Sequence, residues 1–122
     1  NLVQALYDFG SGNALDLNGA FLNCSSITTL DLSNWDVGNI TNLTNLVGNC
    51  TNLETFIPPK NINVSLSDFT SSTKLSSEQL EAIINNLNTV STTQTLKLGA
   101  TNLVKLTEDQ IAIATNKGWS VV

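Results

Sequence analysis

Apolar positions return along this chain in a fixed phase. Phe21, Cys24, Ile27 and Leu30 are followed 26 residues later by Val47, Cys50, Leu53 and Phe56, and Asn23 returns as Asn49. Phe69, Ser72 and Leu75 carry the same three-residue step again, with serine in the place of cysteine. A period of this length marks supersecondary units that cannot each bury an apolar face alone, so neighbours must stack to make a core. The pattern predicts a solenoid.

Within each unit the local period changes. Leu15-Asp16-Leu17 and Leu30-Asp31-Leu32 alternate apolar with polar, the signature of a half-buried strand. Thr55-Phe56-Ile57 reads as the next rung, closed by Pro58 and Pro59, which have no amide proton to give a ladder. Ile40, Leu43, Leu46 and Val47 fall three or four apart among asparagines and threonines, predicting a short helical or 3-10 turn between rungs. Ile62, Val64 and Leu66 alternate and suggest an edge strand over residues 60–68. At the start, Leu2, Val3, Leu6 and Phe9 share one helical face before the breakers Gly10 and Gly12.

From residue 75 a second similarity appears at a spacing of 31. Leu75-Ser76-Ser77-Glu78-Gln79-Leu80 matches Leu106-Thr107-Glu108-Asp109-Gln110-Ile111, each a hydroxyl N-cap with glutamine three residues on and an apolar staple around it. The first helix continues through Leu80, Ile83, Ile84 and Leu87 to about Asn88. The second runs to about Lys117, ahead of a left-handed Gly118. Each leads into a strand, residues 95–98 and 119–122, and such short connections predict parallel strands with right-handed crossovers. The expected architecture is one α/β domain over residues 1–122. It has a helical cap at 1–14, irregular repeats at 15–75 and two helix-strand units at 76–122, with a parallel sheet on a concave side and short helices or 3-10 turns on the convex side.

Composition narrows the chemistry. Charged residues make up 12% and the net charge is -5, with a sequence pI of about 4.2, so no basic stripe exists to neutralise phosphates or to lean on an anionic membrane. Nucleic acid is not an expected partner. No stretch holds the 18 or more apolar residues of a membrane span. The chain begins at Asn1 and has no Met, which suggests a processed product or a piece of something longer. The absence of His removes the usual metal ligand and the usual general base, so no metal, cofactor or catalytic residue is assigned. Cys24 and Cys50 occupy equivalent positions about 5 Å apart on stacked units, a spacing that permits a disulfide as well as two buried thiols.

Residues 20–37, with Ala20-Phe21, Cys24, Ile27, Leu30, Leu32 and then Ser33-Asn34-Trp35-Asp36-Val37, closely resemble the repeat of BspA-like leucine-rich-repeat proteins of bacterial surfaces. Leu53-x-x-Phe56-Ile57-Pro58 is similar to a proline-ended variant of that strand, and residues 106–119 look like the closing segment of such arrays. One departure is that Asn34 follows Leu32 by two positions where the common leucine-rich consensus expects three. The resemblance implies a leucine-rich-repeat solenoid, an extracellular or cell-surface location, and non-enzymatic adhesion or recognition of a host or cell-surface protein or glycan. Asn23, Asn39, Asn42, Asn49 and Asn63 match the N-glycosylation pattern, as an Asn- and Thr-rich repeat does by composition.

Alternation sets Thr29, Asp31, Thr55 and Lys97 opposite the core, where they are expected to form one polar, ligand-contacting strip. Asp16 and Asp31 are expected to point out of neighbouring rungs, as ligand contacts or as ordinary solvated residues. Trp35 either stacks on a ligand as an exposed indole or covers the end of a unit. An alternative to recognition is a structural tip or assembly domain of a fibre, phage tail or filament, self-associating through the solenoid ends.

Overall fold

A computed structural model describes residues 19, 21–36, 38, 40, 42–66 and 68–122. The helix expected over residues 1–10 and the strand expected at residues 15–17 lie outside them. Four strands form among the described residues, each overlapping an expected one: β1 (Thr29–Asp31), β2 (Thr55–Ile57), β3 (Gln94–Leu96) and β4 (Trp119–Val121). β1 pairs parallel with β2, setting Thr29 against Thr55, Leu30 against Phe56 and Asp31 against Ile57. β3 pairs parallel with β4 in register Gln94 to Trp119.

The expected leucine-rich-repeat solenoid, with a single parallel sheet along a concave side, is overturned. Among the described residues the strands make two separate two-stranded sheets accompanied by three helices: α1 (Ser77–Asn85), α2 (Ala100–Leu103) and α3 (Glu108–Thr115). The reason lies at the edge of β2. There the Phe56 amide donates to the Gln79 side-chain carbonyl at 2.9 Å, so a helix side chain takes the position a third strand would need. Gln79 therefore does not close the expected capping box on α1. Ser76 still accepts from the Gln79 amide. In α3 the reciprocal box is complete, with Thr107 N donating to Gln110 Oε1 at 2.8 Å and Gln110 N donating to Thr107 Oγ1 at 3.2 Å.

Another expectation also changes. Ile62, Val64 and Leu66 do not build an edge strand; Ile62 and Leu66 are buried, and residues 60–68 meet the rest through single bridges at Lys60, Ile62 and Asp68. Residues 43–50 form turns of the 3-10 type, one of the two forms expected there, with Leu46, Gly48 and Cys50 each donating to the carbonyl three residues back. Asn and Thr favour such local turns over helix. α1 ends at Asn85, short of Asn88, and α2 answers no helical period in the sequence.

Packing follows the apolar register closely. Phe21, Leu30, Leu43, Leu53, Phe56, Phe69, Leu75 and Leu80 belong to one buried cluster that extends to Trp119. Phe56 meets Phe69 edge-on with ring centroids 5.3 Å apart. A column of small polar residues runs through this cluster, each reaching back to the preceding segment. Cys50 Sγ donates to Phe21 O at 3.1 Å, Ser72 Oγ to Cys50 O at 3.1 Å, and Asn102 Nδ2 to Ser72 O at 3.3 Å. Turn carbonyls that packing has cut off from water are thereby satisfied from within.

Candidate functional site

Asparagine carries most of the surface order. Asn23 and Asn49, equivalent in the repeat, both hold φ near +60, a left-handed conformation that asparagine tolerates better than most residues. Their side chains meet, Asn49 Nδ2 donating to Asn23 Oδ1 at 2.9 Å, and Ser71 Oγ adds a bond to Asn49 Oδ1 at 3.3 Å. A second ladder joins Asp36, Asn61, Asn63 and Asn88. Asn61 Nδ2 donates to Asp36 Oδ1 at 3.0 Å, and Asn88 Nδ2 donates to Asn63 Oδ1 at 2.7 Å.

The polar strip expected from alternation is brought together in part. Thr29 and Thr55 are direct partners across β1 and β2, with Asp31 exposed two residues on and opposite the exposed Ile57. Lys97 follows β3 in the other sheet and pairs there with Asp68, Nζ to Oδ2 at 3.7 Å. Asp16 lies outside the described residues. Trp35 is only 4% exposed, its ring 6.2 Å from that of Phe21, so the indole covers core instead of offering a stacking face. Its Nε1 has no hydrogen-bond partner among the described residues.

The aspartates are held by their own turns. Asp31 sits below the ordinary carboxylate range because the Ser33 hydroxyl and amide donate to it. Asp36 is lowered by Asn61 and by the Gly38 amide. At Asp68 burial pushes upward, but the Thr70 hydroxyl and amide together with Lys97 outweigh it and the net direction is down. Each is an Asx turn with its charge already satisfied. Both cysteines are free thiols, Cys24 half-buried and Cys50 buried, and burial raises the Cys50 thiol above its usual value. No group of three or more acidic, Cys or His residues suited to a metal is found among the described residues.

A depression of about 340 Å³ went unforeseen in the sequence. Asn63, Thr89, Val90, Ser91, Thr92 and Gln94 line it. The connection from α1 to β3 that forms its rim is pinned at Asn88 and Val90. Asn88 N donates to Ile62 O, Trp119 Nε1 donates to Asn88 O at 2.8 Å, and Val90 N donates to Lys117 O at 2.8 Å. Gly118 makes this approach possible. It holds φ +95, and a Cβ there would meet Val90 O at 2.5 Å. The only hint in the sequence is the polar run Asn88-Thr89-Val90-Ser91-Thr92-Thr93 between a helix and a strand.

No helix among the described residues is long and apolar enough to cross a membrane. Comparison with protein-family models, with curated proteins and with solved structures gives no match.

Proposed function

We propose that this chain is a non-enzymatic recognition module of a surface-displayed or secreted protein, and that it binds a protein or a glycan. The observation that carries this reading is the pair of asparagine ladders. Amides and hydroxyls on exposed turns are bonded to one another across segments far apart in sequence, so a polar surface is already ordered before a ligand arrives. Ordering side chains in advance removes an entropic cost from binding. The sequence resemblance to bacterial surface repeats supports the extracellular setting.

The test is to probe glycan and host-protein arrays with the wild type and with an Asp31→Lys, Thr55→Glu variant. Binding that the variant loses assigns recognition to the face carrying Thr29, Asp31 and Thr55. Binding that it keeps moves recognition to another surface, and a wild-type chain that binds nothing on either array refutes the proposal. A second reading, an assembly domain of a fibre or filament, is favoured by Val104, which is 83% exposed beyond α2. Light scattering across a concentration series decides it, since an assembly domain grows in mass and a recognition module does not.

A further inference from the structure

The depression beside β3 has a chemistry of its own. It is lined by two carboxamides, three hydroxyl residues and one valine, with no charged side chain among them. Both amides are oriented in advance. Asn63 Oδ1 accepts from Asn88 Nδ2 at 2.7 Å and its Nδ2 donates to Gly38 O at 3.4 Å. Gln94 Oε1 accepts from Ser65 N at 2.9 Å and from Ser65 Oγ at 3.2 Å, while its Nε2 donates to Thr92 O at 3.3 Å. A carboxamide nitrogen carries two protons, so among the described residues each amide has one N–H left to give after these bonds. Thr89, Ser91 and Thr92 are exposed, and each hydroxyl both donates and accepts.

We propose that this depression is a binding site for a neutral saccharide, an inference that rests on the recognition reading above and names its ligand class. Fixed N–H donors beside hydroxyls that act both ways match the vicinal hydroxyls of a pyranose, whose oxygens accept and whose protons donate. Val90 supplies the apolar contact for a ring C–H face. The lack of a cation in the lining argues against phosphorylated or acidic sugars, whose charge would go uncompensated. The rim is held by Trp119 and Lys117, so little ordering accompanies binding. Both tryptophans are buried and no aromatic residue is among the described residues lining the depression, so a monosaccharide should bind weakly, with a dissociation constant on the order of 1 mM.

The experiment is amide-resolved NMR titration of the intact chain with glucose, galactose, mannose and N-acetylglucosamine, with N-acetylneuraminic acid as the charged comparison. The expected result is that at least one neutral sugar shifts the amides of Asn63 and of residues 89–94, with the acidic sugar at least tenfold weaker. In a Ser91→Leu, Thr92→Glu variant, whose spectrum elsewhere reports an intact fold, those shifts should fall at least tenfold. Shifts confined to Thr29, Asp31 and Thr55, equal shifts from the acidic sugar, or shifts unchanged in the variant each overturn the proposal. If no sugar binds while a protein partner appears on the array, the saccharide inference fails and the recognition reading stands. If neither class binds, both fail.

Discussion

Asn102 is the sharpest place to perturb this fold. Its side chain is fully buried, and Nδ2 lies 3.0 Å from Phe69 O, 3.3 Å from Ser72 O and 2.9 Å from Leu98 O. Two protons thus serve three carbonyls, and Oδ1 accepts from Lys105 Nζ at 3.2 Å. Asn102→Ala removes every one of these bonds. Phe69 O keeps a bond from Ser72 N at 2.9 Å, so the heavier losses fall on the other two carbonyls. A hydrogen bond contributes about 1 kcal/mol net, and a buried group left without a partner costs roughly 1–3 kcal/mol. The expected destabilisation is about 2–4 kcal/mol, the truncated volume included. Asn102→Leu separates packing from hydrogen bonding, because it fills the space yet donates nothing, and it should still lose about 2 kcal/mol. Urea denaturation followed by circular dichroism, with equal slopes for all variants, measures both. A leucine variant as stable as the wild type would refute the argument, since it would mean that the carbonyls never needed the amide.

Three further outcomes are expected. Leu30→Ala should cost about 2–5 kcal/mol because Leu30 is 2% exposed, whereas Asp31→Ala, at an exposed position in the same strand, should change stability by about 0.5 kcal/mol or less; equal losses in chemical denaturation would overturn the strand register. Under native conditions iodoacetamide should modify half-buried Cys24 well before Cys50, whose burial and raised pKa both keep the thiolate scarce, and intact mass should not change by 2 Da on reduction; equal alkylation rates or a 2 Da change would contradict the free-thiol arrangement. Asp31, Asp36 and Asp68 are lowered, so their stabilisation is present above the unfolded carboxylate pKa and fades as pH falls through the folded values, by a small amount since the groups are exposed or only half-buried. Cys50 has the opposite sign: its contribution is full below the unfolded thiol pKa and is lost as pH rises through the raised folded value, so urea midpoints should drop at both ends of the pH range, and a flat profile would remove these assignments.

Residues that act locally were legible in the chain itself. Ser76 and Thr107 start helices because their hydroxyls bind amides three residues away, and Gly118 stands at a left-handed position that any other residue would strain. The three-residue step through Phe21, Phe56 and Phe69 marked the core, because burial of apolar area does not depend on which neighbour covers it. What the sequence left open was pairing. Gln79 has two acceptable donors, its own cap and the Phe56 amide, with similar bond energies, and only the approach of α1 to β2 chooses between them. That choice ends the first sheet at two strands. Asn102 reads as an ordinary loop polar residue until Phe69, Ser72 and Leu98 close around it. Trp35 reads in the sequence as a cover for the end of a unit or as an exposed indole, and Phe21 packing on it decides for the first. The depression exists only because Lys117, Trp119 and Gly118 hold residues 88–90 in place from about thirty residues away. Contacts at that separation carry no local pattern, so tertiary packing alone decides them.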